Sequence, residues 1–592
     1  MWRYCIFIFL VLVQVSVGLA QPVQKLSEEE SIDLTLKQMT LEEKVGQLFM
    51  AAFRREEGNP VTAVTPAVQE ALKQYHLGGV ILFAENFTNI GQTVKLTAEL
   101  QQAAGSIPLL IAVDQEGGRV NRFHFGTELP GNMALGASGN PGNAYLAGNL
   151  VGTELAALGI NTNLAPVLDV NSNQDNPVIG IRSFGADSQK VSKMGQEYIR
   201  GLHSGGVLAA VKHFPGHGDT SVDSHLGLPI VWYEKSRFHQ VELKPFYENR
   251  SSADMVMVAH VAFPALDEVK AVSQKDGQPV FLPATLSHKI ITELLRQELG
   301  YDGVVITDAL EMKAITEHFG PEEAVVRALQ AGTDILLMPS DLHKAYEGVL
   351  EAVKTGAISE ERIEQSVKRI LRVKSRCANQ GNYSEAARLS KAQTVVGSRE
   401  HKEKETKLAT EAVTLLKNEG KVLPLSTQET HKLVLAAPRS EWVQVMEEAL
   451  LSQLKTGREE GITGLSYGQL SELTGAQKSL IDESDYVILA TYSSTLATRT
   501  PGKSPSASFA ASLIDYAARA GKRTIVLALG TPYDILYLRK GNAYLAVYGA
   551  NEANIQAGMA AIFGSMKLSG KLPVPIEQQG HILFHMGYGM DY

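Results

Sequence analysis

Eight short apolar runs recur before residue 340, and most are separated by a stretch long enough and patterned for a helix. They are GQLFMA (46–51), GGVILFA (78–84), PLLIAVD (108–114), INTNLAPVLD (160–169), GVLAAVKHF (206–214), ADMVMVAH (253–260), YDGVVITD (301–308) and TDILLMP (333–339). Their length and Val/Ile/Leu content suit strands buried on both faces, as in a parallel sheet. Eight strand–helix units in one chain predict a (β/α)8 barrel of the TIM type. Thr40-Leu41-Glu42-Glu43, a capping box, opens a helix just before the first run.

Polar residues close these runs: Asp114, Asp169, Lys212-His213, His260 and Asp308. In such a barrel the active site forms at the C-terminal ends of the strands, so the five positions mark one face.

Past residue 360 the pattern changes. EERIEQSVKRILRVKSR reads as an amphipathic, charge-rich helix, and residues 377–400 read as a polar connector. HKLVLAAP (431–438), SDYVILATY (484–492), KRTIVLALG (522–530) and NAYLAVYG (542–549) then alternate with helices. They predict a smaller αβα sandwich on an open parallel sheet over 401–592, with the barrel over 21–376. A chain of 592 residues is long enough for two cores.

The first 20 residues read as an export signal. Arg3 supplies the charged start, CIFIFLVLVQVSV the apolar stretch, and Val17-Gly18-Leu19-Ala20 the small residues before a cleavage point. The stretch is short for a membrane span and holds Gln14 and Ser16, so no span is expected after cleavage; retention as an anchor is the alternative. Cys5 lies before most of the apolar run, not where a lipid-attachment cysteine belongs. Its removal leaves Cys377 alone, which excludes an internal disulfide and a cysteine metal cage. A net charge of −9 argues against nucleic-acid binding. No nucleotide-binding glycine loop is present, and no metal or organic cofactor is expected.

KHFPGHGDTSVDSHLGLP (212–229) is the densest chemical stretch. Its histidines suggest a metal, but Pro215, Gly216 and Gly218 prevent the helix that would align them. Asp223-Ser224-His225 places a carboxylate two residues from an imidazole. That spacing serves a general acid/base dyad, and equally an ordinary Asp-x-His turn. Asp308 ends an apolar strand as a nucleophile or base would, and with Glu311 it also forms a capping box. IAVDQEGGRVNRF (111–123) gathers Asp114, Glu116, Arg119 and Arg122. These suit vicinal hydroxyls, or a local salt-bridge network. NPVIGIRSFG presents Arg182 similarly.

Together KHFPGHGDTSVDSH, VDQEGGRVNRF, NPVIGIRSF, VITDALEM and TLLKNEGKVLPL (414–425) resemble glycoside hydrolase family 3, and within it the bacterial exported two-domain β-N-acetylglucosaminidases. The resemblance covers nearly the whole mature chain. It implies a retaining exo-β-N-acetylglucosaminidase that removes terminal GlcNAc from GlcNAc-MurNAc fragments and muropeptides. Asp308 would be the nucleophile, His225 the acid/base and Asp223 its partner. Asp114, Arg122, Arg182, Lys212 and His213 would hold the sugar, with Arg54 as a further contact. No role is implied for Asp169 or His260, and His217 is expected to be structural. The protein would be secreted or wall-associated, monomeric, and bind cell-wall saccharides. The alternatives are a β-N-acetylglucosaminide phosphorylase of the same family and a wall-glycan binding protein without turnover.

Overall fold

A computed structural model describes residues 27–377, 384–429, 431–453 and 461–592. The expected export signal and Cys5 lie outside the described residues.

All eight apolar runs form parallel strands: β1 (Phe49–Ala52), β2 (Gly79–Leu82), β3 (Leu110–Val113), β4 (Thr162–Asn163), β5 (Leu208–Phe214), β6 (Met255–Val258), β7 (Val304–Thr307) and β8 (Leu336–Leu337). They pair in the order β7-β6-β5-β4-β3-β2-β1-β8. A parallel bridge from Ile306 to Ile335 joins the two ends, so the ring closes as a TIM-type barrel. The strand residues are almost uniformly buried, as two-sided packing requires. The fourth run is cut short: only Thr162–Asn163 is strand, and Val167 adds one bridge to Lys212. Pro166 cannot donate to a ladder, so the chain leaves the sheet before Asp169.

Thr40 caps its short helix as expected, accepting from the Glu43 N–H while Glu43 returns to the Thr40 N–H. The Asp308–Glu311 capping box does not form. The next helix starts at Lys313 with Met312 at its cap, and the Asp308 carboxylate instead accepts the Ala309 N–H at 2.8 Å. The carboxylate therefore stays at the mouth of β7.

The 377–400 segment is more than a connector. It carries a helix, Glu385–Val395, whose Leu389, Ala392 and Val395 join the barrel's apolar core. The main sheet of the second domain holds six strands: β9 (Thr414–Asn418), β10 (Leu433–Ala437), β11 (Ile462–Ser466), β12 (Tyr486–Thr491), β13 (Arg523–Ala528) and β14 (Ala543–Ala546). Their order is β9-β14-β13-β12-β10-β11. The sheet is mixed rather than purely parallel, because β9 runs antiparallel to β14. β9 arises from the TLLKN stretch, too half-polar at its end to stand out as a buried run. Apolar clusters cover both faces of the sheet.

Candidate active site

The strand ends bring together a charge network centred on buried Lys212 and Glu116. Lys212, 2% exposed, donates to Asp114 Oδ1 at 2.7 Å and lies 2.7 Å from Glu116 Oε1. Arg182 grips Glu116 through both carboxylate oxygens, at 2.9 and 2.8 Å. Arg122 reaches the other oxygen of Asp114 at 3.3 Å. Burial opposes the charge on Glu116, yet Arg182 and Lys212 hold its carboxyl well below the usual range. Burial likewise opposes Lys212, and Asp114 with Glu116 raises it above its ordinary value. Gly118 closes this loop in the left-handed region (φ 58°), where a Cβ would meet Gly131 Cα at 2.8 Å.

Lys212 and His213 are consecutive on β5, yet both enter the site. Alternation would send them to opposite faces. The ladder to β6 slips by one residue between Lys212 and Phe214, and this bulge turns His213 back toward the barrel mouth. His213 Nδ1 donates to Asp169 Oδ2 at 2.7 Å, leaving Nε2 as acceptor 3.5 Å from Arg182 Nη2. Asp169 also accepts the backbone N–H groups of His213 and His217, at 3.3 and 2.6 Å. Burial disfavours its charge, but these donors and the His213 ring hold its carboxyl below the usual range.

The loop after β5 separates its histidines by environment. His217 is 1% exposed; its Nδ1 pairs with Thr220 Oγ1 at 2.7 Å and its Nε2 with Ser224 Oγ at 3.2 Å. Burial, helped by His213, pushes it down to about 4, so it is a neutral strut. His225 follows that strut by one residue from Ser224. Its ring Nδ1 and its backbone N–H both meet Asp223 Oδ1, at 2.8 and 2.9 Å. The hydrogen bond to Asp223 raises the imidazole's affinity for a proton, burial opposes it, and the charges of Asp223 and Asp308 add to it. The Ala314 N–H donates to the Ser224 carbonyl at 3.3 Å, tying this loop to the segment after Asp308.

Among the described residues Asp308 makes no ion pair, and its carboxylate accepts the Ala309 N–H. Burial works against its charge, but His260, His213, the Ala309 N–H and Lys212 together bring it to about 2. His260 Nε2 donates to the Ala309 carbonyl at 2.9 Å and Nδ1 pairs with Thr285 Oγ1 at 2.7 Å, bracing the backbone beside Asp308. Arg54 sits farther out. It pairs with Glu85 and lies 4.5 Å from the centre of the Phe83 ring, which Arg122 also flanks at 5.1 Å. Arg119, grouped by sequence with Arg122, is exposed and outside the network.

Two residues central to the geometry went unassigned from sequence, Glu116 and Asp169. Glu116 lay in a recognised motif among other charges, and nothing local distinguishes it. Asp169 sits six residues past its strand, and its partners lie over 40 residues away. Among the described residues no group of acids, histidines and cysteines forms a metal cage, and no helix is long and apolar enough to cross a membrane.

Comparison with known proteins identifies the family. Residues 40–373 match the glycosyl hydrolase family 3 N-terminal domain and residues 413–592 the C-terminal domain of that family. The chain is 36% identical to β-hexosaminidase A of Pseudoalteromonas piscicida, over 91% of this chain and 97% of that protein. It is 27% identical to a β-N-acetylglucosaminidase/β-glucosidase of Cellulomonas fimi, over 91% and 94%. A solved family 3 β-N-acetylglucosaminidase from Paenibacillus sp. str. FPU-7 superposes with a TM-score of 0.78 at 36% identity, covering 91% of this chain and 99% of the other. With both domains matched and 91% of its length paralleled, the chain belongs to glycosyl hydrolase family 3 and is a glycoside hydrolase.

Proposed function

We propose that the protein is a retaining exo-β-N-acetylglucosaminidase that removes terminal GlcNAc from peptidoglycan fragments outside the cytoplasm. The observation that carries this reading is the Asp223–His225 pair beside an ionised Asp308. The likeness to β-hexosaminidase A and to the Paenibacillus β-N-acetylglucosaminidase, across both domains, supports the sugar. The apolar segment over residues 5–17 supports export, and export places wall fragments within reach.

In the first step an Asp308 oxygen bonds to the anomeric carbon as the glycosidic bond breaks. The His225 imidazolium gives its proton to the departing oxygen. In the second, neutral His225 takes a proton from water, whose oxygen displaces Asp308 and restores the original anomeric configuration. The pKa order suits both steps: Asp308 stays anionic, while Asp223 favours a proton on His225. The Asp114–Lys212–Glu116–Arg182 network supplies fixed donors and acceptors for ring hydroxyls without rearrangement.

The test uses p-nitrophenyl β-N-acetylglucosaminide and GlcNAc-MurNAc, each with and without phosphate. Free GlcNAc at a phosphate-independent rate is expected; GlcNAc-1-phosphate would make the protein a phosphorylase. Asp308→Ala is expected to lower kcat by about 10³-fold or more with the fold intact. Full activity in that variant overturns the nucleophile assignment.

A further inference from the structure

The segment from Asn171 to Arg182 leaves the mouth of β4 and has little regular structure, ending in a single turn at Gly180–Arg182. Its path is therefore set by side-chain contacts. On its inner side, Asn176 donates to the His217 carbonyl at 2.8 Å and accepts the N–H groups of Val178 and Ile179, at 2.8 and 2.7 Å. Those bonds aim Arg182 at Glu116.

The outer side is held by the second domain. Asn171 Nδ2 donates to the Tyr533 hydroxyl at 3.0 Å. The Gln174 side chain pairs with the Glu577 backbone in both directions, at 3.0 and 3.2 Å. Ile181 enters the second domain's apolar cluster, and the Ala186 N–H donates to the Pro573 carbonyl at 3.0 Å. The charged member is Arg499, at the end of the short helix Leu496–Arg499. It is 3% exposed and lies 5.1 Å from the centre of the Tyr533 ring. Both acceptors of its guanidinium belong to the barrel segment: the Gln174 carbonyl at 3.1 Å, and the Asp175 carboxylate. Its Nε, also buried, makes no hydrogen bond. A buried guanidinium with acceptors only across a domain boundary binds that boundary strongly, because pulling it away leaves an unpaired buried charge.

We infer that Arg499 is a positioning residue for sugar binding: through Gln174 and Asp175 the second domain fixes the segment that presents Arg182. This rests on the proposed role of Arg182 in holding the terminal GlcNAc. Asp308 stands on β7, which Arg499 does not touch, so loosening the clamp should weaken ground-state affinity and leave chemistry on an activated substrate in place.

The full chain is assayed with p-nitrophenyl β-N-acetylglucosaminide, as wild type, Arg499→Met, Arg499→Lys and the double variant Arg499→Met/Asp175→Asn. The double variant removes both charges, so the half-exposed Asp175 carboxylate is not left without its cation if the single change fails to fold. KM is expected to rise about 10-fold, with kcat within about two-fold, in Arg499→Met and in the double variant. Inhibition by free GlcNAc should weaken by a similar factor, and Arg499→Lys should recover part of the loss, since it keeps the charge without the fork. Wild-type KM in a folded Arg499→Met or double variant overturns the inference, as does a fall in kcat with KM unchanged. An inactive wild type would instead sink the proposed function, which keeps the two failures distinct.

Discussion

His217 and His225 lie on one loop and hold opposite electrostatic positions. His217, sealed between Thr220 and Ser224, is pushed down to about 4 and stays neutral. His225, with its ring largely open, is pushed up by the Asp223 hydrogen bond. This sets a pH prediction. If His225 must be protonated to begin the reaction, kcat/KM falls on the alkaline side as that proton is lost. Asp223→Asn removes the group that favours the imidazolium, so the alkaline limb should move to lower pH. A limb that stays in place would dissociate Asp223 from the titration. Asp308, at about 2, remains ionised throughout and sets no limb near neutrality. His225→Gly should lower turnover of GlcNAc-MurNAc by about 10²–10⁴-fold, and of an activated aryl substrate far less, because only the poor leaving group needs an acid. Equal losses on both substrates would contradict the acid role.

At the scale of elements, two devices shape the site. The bulge in β5 puts Lys212 and His213 on one side, which alternation forbids. The helix Ser188–Gly205, which follows the Arg182 segment, is set by a close crossing on Pro141–Ala157. Glycines make that crossing possible: a Cβ on Gly148 would meet the Tyr198 carbonyl oxygen at 2.2 Å, and one on Gly201 the Tyr145 oxygen at 2.2 Å. In an exposed helix, Gly→Ala would gain about 1 kcal/mol. Here the added methyl strikes backbone that cannot swing aside, so Gly148→Ala should destabilise by about 1–3 kcal/mol in urea unfolding. A gain in stability would show that the helices separate freely.

At the scale of the whole molecule, the domains share a core. Met133, Ala134, Ala137 and Ile181 of the barrel half lie in one apolar cluster with Leu416, Tyr533 and Leu572 of the second domain. The helix Arg399–Ala412 lends Leu408 to the barrel core and Ala409 and Ala412 to the second domain's clusters. A boundary with shared apolar packing should not open before either half melts. In a Trp2→Phe/Trp232→Phe variant, Trp442 fluorescence reports the second domain and loss of activity reports the barrel. Their urea transitions should coincide; separate midpoints would refute a common unfolding unit.

The sequence by itself determined the barrel, because a strand buried on both faces must be written as a short continuous apolar run, and eight such runs are countable. It also determined which residues could carry acid/base and nucleophilic chemistry, since strand-end Asp308 and the Asp223–His225 spacing are local. It marked Lys212 and Arg182 as polar residues in apolar surroundings, without their partners. Only the tertiary structure decided that Glu116 joins Lys212 to Arg182, that Asp169 holds two histidine backbones, and that Asp308 does not cap a helix. Only it decided, too, that Arg499 reaches from the other domain. The Glu116, Asp169 and Arg499 pairings run across roughly 40 to 330 residues. A charge finds its partner through chain closure around a core, and no periodicity in the sequence records that distance.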